Sequence, residues 1–272
     1  MFSVLILTLN EARNLPACLA SVSFCADIVV LDSGSSDETC VIAEQAGARV
    51  FERPFDNFAG QRNHAHAHIA FAHPWVFHLD ADETFPPELK TELERWITQC
   101  GEAFDGAWVA PRMMWQGVWV KHCTDFPAWQ ARLAHRDRFR FIEVGHGQRE
   151  APAMRMDRIA AGYRHDLSSG GVEAWRAKHQ RYAVAEARAF LRTPTQASWR
   201  DLCQRDPLLR RRALKALSQQ WPGRALLRFV YQYVLRGGIL DGAAGFRYCM
   251  LLARYEGEIA RQIRRQRVSL TP

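Results

Sequence analysis

Apolar residues along this chain gather in short unbroken runs, each closed by a polar cluster. Ser3-Val4-Leu5-Ile6-Leu7-Thr8 is apolar and rich in branched side chains, and it leads into Asn10-Glu11. Leu15, Leu19 and Val22 then recur at helical spacing. Ile28-Val29-Val30-Leu31 ends at Asp32-Ser33-Gly34-Ser35-Ser36-Asp37. A helix patterned by Cys40, Ile42, Ala43 and Ala46 comes next, with Gly47 as its C-cap, before a third strand, Ala48-Arg49-Val50-Phe51. Later, Trp75-Val76-Phe77-His78-Leu79 runs into Asp80-Ala81-Asp82-Glu83. Continuous runs, unlike alternating ones, predict strands covered on both faces, hence an α/β fold with a mostly parallel, Rossmann-like sheet. Ligands of such sheets bind outside the carboxyl ends of the strands. Three of these strands end in polar clusters, at Thr8-Asn10-Glu11, Asp32-Ser33 and Asp80-Asp82, and that convergence is the main sign of a site. No internal repeat or low-complexity segment interrupts the pattern.

Length and charge divide the chain in two. At 272 residues it has room for one large α/β domain and an appendage. A hydrophobic content of 48% with 9 Trp excludes disorder for most of it. The 7 Cys are odd in number and contain no C-x-x-C, which argues against a zinc site or a disulfide framework and for a reducing, cytoplasmic compartment. Met1-Phe2-Ser3-Val4 reads as the first strand rather than a targeting leader, and no apolar run reaches the 18 or so residues needed to span a bilayer. Residues 1–172 hold 16 Lys+Arg against 22 Asp+Glu, a net of −6, whereas residues 173–272 hold 20 against 7, a net of +13. The expectation is a catalytic domain over 1–172 and a basic helical region over 173–272 facing something anionic. Nucleic acid is not the expected partner, although Arg210-Arg211-Arg212 and a pI of about 9.2 raise the question. The acidic front half and the lack of a binding motif argue against it.

Asp80 and Asp82 stand two residues apart at the end of a buried strand. Hard oxygen ligands beside a phosphate-bearing substrate suit Mg²⁺ or Mn²⁺. The other reading is an acidic helix N-cap, because Asp82-Glu83-Thr84 precedes Pro86-Pro87 and a helix.

Taken in order, Thr8-Leu9-Asn10-Glu11, Val30-Leu31-Asp32-Ser33-Gly34-Ser35-Ser36-Asp37, Gln61-Arg62-Asn63 and Leu79-Asp80-Ala81-Asp82-Glu83 resemble the motif set of family 2 glycosyltransferases of the GT-A type. The spacing is most similar to the lipopolysaccharide core β-1,4-glucosyltransferase branch. The resemblance covers residues 3 to about 165 well and extends more loosely through Glu173–His179 and Leu240–Phe246. It implies a metal-dependent, inverting transfer from a nucleotide-diphosphate sugar, a UDP-sugar by expectation, to a glycan or lipid-linked acceptor of the cell envelope. Thr8, Asn10, Glu11 and Asp32 would form the nucleotide pocket, with Asp80 near the ribose and Arg62 approaching the diphosphate. Asp82 would hold the metal. His146 sits where related enzymes place a histidine near the phosphates, as a metal or phosphate contact or as a structural histidine. Two departures stand out: Asp32-Ser33 replaces a pair of aspartates, and Ala128 occupies the position of an Asp preceding the Gln130-Ala131-Arg132-Leu133 segment. Asp125 is therefore the expected general base, with Glu150 and Glu143 in reserve. The missing Asp makes a catalytically inactive sugar-nucleotide-binding protein the alternative.

In the basic half, Leu226, Phe229, Val230, Tyr233 and Val234 share one helical face, and Arg224, Arg228 and Gln232 another. A second helix groups Tyr248, Leu252, Tyr255, Ile259 and Ile263, with Arg247, Arg254, Arg261 and Arg265 in a separate stripe. Two readings fit: an amphipathic element on an anionic membrane surface, peripheral on the inner face of the plasma membrane, or a helical cap packed on the catalytic domain.

Overall fold

In a computed structural model of the protein, which describes residues 1–144, 147–192, 199–203, 206, 210, 213 and 223–268, the chain divides into two compact units. The first comprises Met1–Met114 and Phe126–Ser169, and the second Trp115–Asp125 and Gly170–Pro272. The opening half of the first unit runs β1 (Ser3–Thr8), α1 (Leu15–Ser21), β2 (Ile28–Asp32), α2 (Thr39–Gln45), β3 (Arg49–Glu52), α3 (Phe58–His68), β4 (Trp75–Asp80), β5 (Glu83–Thr84) and α4 (Pro87–Cys100). It continues through β6 (Gly106–Val109) and β7 (Arg112–Trp115). After β8 (Val118–Trp119), which belongs to the second unit, come β9 (Gln130–His135), β10 (Phe141–Val144), β11 (Gly147–Glu150), β12 (Met156–Ile159) and β13 (Arg164–Asp166).

β1 is buried along its whole length because it lies inside the main sheet, whose order is β12-β6-β9-β4-β1-β2-β3. Side chains alternate across a strand, and the two faces are covered by different helices. Val4 and Ile6 pack with Leu15 and Leu19 of α1, Ala43 of α2, and Leu89, Leu93 and Trp96 of α4. Leu5 and Leu7 pack on the opposite face with Ala65 of α3, Ile69 and Phe71. That two-sided cover is why the strands read as unbroken apolar runs. Strands β1 to β4 are mutually parallel, as the sequence predicts. The pattern did not predict β9, which inserts antiparallel between β4 and β6. A smaller sheet pairs β13 antiparallel with β5 and parallel with β7, and β10 and β11 form a separate hairpin.

Apart from β8, the described elements of the second unit are helical. It contains α5 (Gly171–Arg192), a 3₁₀ turn (Trp199–Cys203), α6 (Arg224–Phe229) continuing into a π-helical turn (Val230–Leu235), a second 3₁₀ turn (Gly238–Asp241) and α7 (Gly242–Val268). Ala183, Ala187 and Phe190 of α5 form a core with Ile259 and Ile263 of α7.

One buried pair beneath the sheet sets a pH dependence. His66 of α3 and His78 of β4 meet through their Nε2 atoms at 3.1 Å, against the ring of Phe141. Burial, and after it the positive charge of Arg62, pushes His66 down to about 4. Burial followed by His66 and Arg62 pushes His78 down as well. Both imidazoles are thus neutral in the fold, while in the unfolded chain each takes a proton near pH 6.5. Their contribution is complete above about pH 6.5 and is lost progressively as pH falls toward 4. Urea midpoints measured from pH 7 to 5 are expected to fall steadily, and His66→Gln to flatten that slope; a level wild-type profile would contradict the buried neutral pair.

Candidate active site

Parallel pairing brings three carboxyl-terminal strand ends to one edge of the sheet. In the register, Thr8 lies beside Asp32, and Leu7 beside Asp80. Asp32 is buried and fully engaged. Its Oδ1 accepts from the hydroxyls of Thr8 (2.7 Å) and Ser35 (2.6 Å), and its Oδ2 from the backbone N–H groups of Gly34 (2.9 Å) and Ser35 (2.6 Å). Burial disfavours the charged form, but these donors outweigh it and hold the carboxyl below the usual range. Asn10 adopts a left-handed conformation, φ 55°, in which its Oδ1 accepts from Ser36 N (2.8 Å) while its own N–H donates to Ser35 Oγ (2.8 Å). The Glu11 N–H donates to Thr39 Oγ1 (2.8 Å), and the Glu11 carboxylate accepts from Asn14 Nδ2 (2.7 Å). The loops after β1 and β2 are thus tied together by the very residues expected to line a nucleotide pocket.

The Gln61-Arg62-Asn63 stretch lies on α3, and its three side chains point to three different tasks. Gln61 Nε2 donates to the carbonyls of Arg53 (3.1 Å) and Pro54 (3.2 Å). Asn63 clamps the backbone of Phe141 in both directions, at 2.9 and 3.0 Å. Arg62 is buried, and its terminal nitrogen donates to Asp80 Oδ1 at 2.8 Å. Its Nε, also buried, has no hydrogen-bond partner among the described residues.

Asp80 is held by two guanidiniums. Arg132, which the antiparallel strand β9 delivers, donates to Asp80 Oδ2 (3.0 Å) and to Glu83 Oε1 (2.7 Å). The Asp80 side chain keeps about a third of its surface exposed, at 35%. Desolvation opposes its charge, yet the attraction of Arg132 and then Arg62 prevails and sets the carboxyl well below the ordinary range. For the neighbouring Glu83, which also accepts from the Asp80 N–H at 2.8 Å, desolvation wins and its pKa rises. Asp82, Glu83 and His165 of β13 place ligand atoms within 4.8 Å of one another. His165 Nδ1 stands 3.8 Å from Asp82 Oδ1 and 3.5 Å from Glu83 Oε1. Burial disfavours the imidazolium, but the Glu83 hydrogen bond and the Asp82 charge together raise its pKa. The helix-cap reading of this acidic stretch does not hold, since α4 has Pro86 at its N-cap position and no capping side chain.

A cavity of about 680 Å³ opens beside this cluster, lined by Arg62, Asp80, Trp129, Arg132, Arg149 and Glu150 among others. Glu150, at the end of β11, is partly exposed there. Asp125 lies in the second unit, exposed, with its carboxylate 3.6 Å from Arg236. His146 falls outside the described residues.

The sequence profile described as Glycosyl transferase family 2 matches residues 3–157, more than half of the chain and all the strands that carry the cluster up to β12. The chain belongs to glycosyl transferase family 2. Its architecture, a mostly parallel sheet with helices on both faces followed by a helical region, is the GT-A fold of such glycosyltransferases. An uncharacterized glycosyltransferase of Rickettsia felis (strain ATCC VR-1525 / URRWXCal2) is 38% identical over 93 residues, 34% of this chain and 32% of its own. The lipopolysaccharide core biosynthesis glycosyltransferase LpsC of Rhizobium meliloti (strain 1021) is 34% identical over 105 residues, 37% of this chain and 38% of its own. The chain thus spans about a third of the length of the curated relatives it matches. Among solved structures, glucosyl-3-phosphoglycerate synthase from Mycobacterium tuberculosis, in complex with Mn²⁺, UDP and glucosyl-3-phosphoglycerate, is 24% identical with a TM-score of 0.34, covering 43% of this chain and 44% of that one. No described helix of this family 2 glycosyltransferase is long and apolar enough to cross a membrane.

Sequence reasoning missed Glu83, Arg132, His165 and Tyr163, whose hydroxyl accepts from Arg132 Nε at 3.1 Å, as members of the cluster. Arg132 lay in a segment already singled out, and the signal for it was the counter-charge that Asp80 requires. Tyr163 and His165 carried no local signal. Arg132→Met would leave Glu83 buried without its counter-ion, so a destabilisation of about 3–5 kcal/mol is expected by urea denaturation. Adding Glu83→Gln should recover part of that loss, and strict additivity of the two changes would contradict the ion pair.

Proposed function

We propose that this glycosyltransferase catalyses an inverting, metal-assisted transfer of a hexosyl group from a UDP-sugar to a glycan or lipid-linked acceptor in lipopolysaccharide or other envelope polysaccharide synthesis, at the cytoplasmic face of an anionic membrane. The observation that carries this reading is the meeting of Asp80, Asp82, Arg62 and Arg132 at the carboxyl ends of parallel strands, where α/β sheets bind ligands. The kinship with LpsC supports the envelope acceptor.

Thr8, Asn10, Glu11 and Asp32 would shape the nucleotide side, the loops they brace being preformed before a ligand arrives. Asp80, whose charge is secured by its two arginines, would accept from the ribose. For the cation the donor set fits: the carboxylates suit Mg²⁺ or Mn²⁺, and Mn²⁺ also takes an imidazole nitrogen. Glu83 already serves Arg132 and the Asp80 N–H, so Asp82 and His165 are the residues that would hold it, with His146 the other histidine in consideration. When bound, the cation would neutralise charge gathering on the departing diphosphate. Arg62, with one nitrogen still free, adds to that stabilisation from the protein side.

The remaining requirement is a carboxylate that takes the proton of the acceptor hydroxyl while the hydroxyl attacks the anomeric carbon from the face opposite the diphosphate. Glu150 lines the same cavity as Asp80 and Arg62, which favours it; Asp125 is the other candidate. Glu150→Gln should lower kcat by about 10²–10⁴-fold and leave UDP affinity nearly unchanged, whereas loss confined to Asp125→Asn would move the role to that residue. Asp82→Asn should erase the gain in UDP affinity that Mn²⁺ brings, measured by calorimetry, with the unfolding midpoint of the metal-free protein preserved. Identical Mn²⁺-dependent binding in variant and wild type would remove Asp82 from the metal. UDP binding without transfer to any acceptor or to water, across UDP-sugars, would favour the inactive sugar-nucleotide-binding alternative.

A further inference from the structure

The helical hairpin of the second unit is built inside out. In α6 and the turns that follow it, the polar side chains point inward. Arg224 is only 4% exposed and pairs with Glu256 of α7, while Gln232, also 4% exposed, donates to the carbonyl of Cys123. Arg236 donates to the Thr124 carbonyl at 2.6 Å. Asp241, whose side chain is almost wholly buried, accepts from the backbone N–H groups of His122 (2.9 Å) and Cys123 (2.8 Å) and stands 2.7 Å from His122 Nδ1. The apolar side chains point outward. Leu226 is 67% exposed, Leu235 74% and Leu240 72%, and Leu227, Val230, Val234, Ile239 and Phe246 are exposed as well. Scattered single apolar residues on a surface are ordinary; eight within 21 consecutive positions form a patch that calls for an apolar environment.

The tip of the hairpin is closely packed. Gly237 turns it in the left-handed region, φ 77°. At Gly238 a side chain would meet Cys123 Cβ at 2.9 Å, and at Gly245 it would meet the Gly238 carbonyl at 2.3 Å. Only glycine lets the tip close this tightly against residue 123 and the start of α7. The exposed apolar face is therefore not the slack side of a loose segment.

We propose that residues 226–246 insert into the interfacial layer of an anionic bilayer as a preformed wedge. Charge selects this occupant. From 207 to 240 the chain contains no Asp or Glu, and the one acid between 223 and 255, Asp241, is buried. The border of the patch is predominantly cationic, with Arg247 next to Phe246, Arg254 seven residues further along α7, and Lys121 on the segment leading to His122; Asp125, an exposed acid beside it, stands 3.6 Å from Arg236. An apolar centre with a cationic border matches acyl chains beneath anionic headgroups. Length excludes spanning: the run from Leu226 to Leu235 reaches only about 15 Å at helical rise, half the hydrocarbon thickness of about 30 Å. This deepens the membrane-facing part of the proposed function and rests on it, adding insertion to what charge alone would supply.

Salt distinguishes the two contributions, because headgroup attraction is screened and apolar burial is not. Full-length protein is mixed with phosphatidylcholine vesicles, with and without phosphatidylglycerol, and floated at low salt and at 0.5 M NaCl. The wild type should bind the anionic vesicles and keep a bound fraction at high salt. Leu235→Glu with Leu240→Glu, both at exposed positions, should reduce partitioning on the order of ten-fold or more at either salt, with circular dichroism and UDP affinity unchanged. Complete release of the wild type by salt, with the double variant binding equally at low salt, would overturn the wedge and leave electrostatic attachment in place. No flotation under any condition would overturn the membrane-facing reading itself. A wild-type dimer that the double variant converts to monomer, without flotation, would make the face a self-association surface and overturn the proposal.

Discussion

Two guanidiniums converge on the carboxylate of Asp80, and elements distant in the first unit's sequence are brought together by them. An isolated charge at the end of a buried strand would be costly. Arg62 reaches it from α3 at 2.8 Å and Arg132 from β9 at 3.0 Å, so the helix on one face of the sheet and the antiparallel strand inserted into it are both tied to the same carboxylate. Glu83 then closes the network from the turn after β4, accepting from Arg132 and from the Asp80 N–H. Three acids that are neighbours in sequence thereby receive different environments: Asp80 is held ionised, Glu83 is buried and raised, and Asp82 makes no guanidinium contact among the described residues. Asp82, the acid without a guanidinium, stands 3.8 Å from the imidazole that β13 supplies.

The loops around this cluster are stiff for a separate reason. Asp32 accepts four hydrogen bonds from Thr8 and from the turn that follows it, and Asn10 takes a left-handed conformation to reach across to Ser36. Polar residues at strand ends need not all touch a ligand. Some hold the backbone that does, and holding it in advance lowers the ordering cost when a ligand binds. Asp32-Ser33 in place of a double aspartate is consistent with that division, since the single carboxylate here is consumed by its own turn.

The second unit resolves its polarity in the opposite sense from the first. A sheet covered on both faces hides apolar side chains and leaves polar ones at its edges. The hairpin between α6 and α7 instead hides Arg224, Gln232 and Asp241 and presents leucines. Arg224 pairs with Glu256, Gln232 with the Cys123 carbonyl, and Asp241 with the backbone of His122 and Cys123. The polar interior is thus largely held by specific pairs, and the leucines are left on the outside.

What the sequence determined by itself was everything carried by local pattern. Unbroken apolar runs closed by polar clusters specified β1, β2 and β4, their parallel pairing and the edge at which Thr8, Asp32 and Asp80 meet, because burial on both faces leaves no other pattern for a strand. The order of four motifs specified the family for the same reason, each motif being a stretch of adjacent residues. Tertiary structure alone decided which distant side chains complete the site. Arg132 lies 52 residues from Asp80 and His165 83 residues from Asp82 in the chain, and only the insertion of β9 and the pairing of β13 with β5 bring them together. It also decided the sense of the C-terminal helices. Periodicity separates an apolar from a polar stripe, but it does not say which stripe faces inward; that depended on Glu256, on the Cys123 carbonyl and on a tip glycine-tight enough to leave the leucines outside.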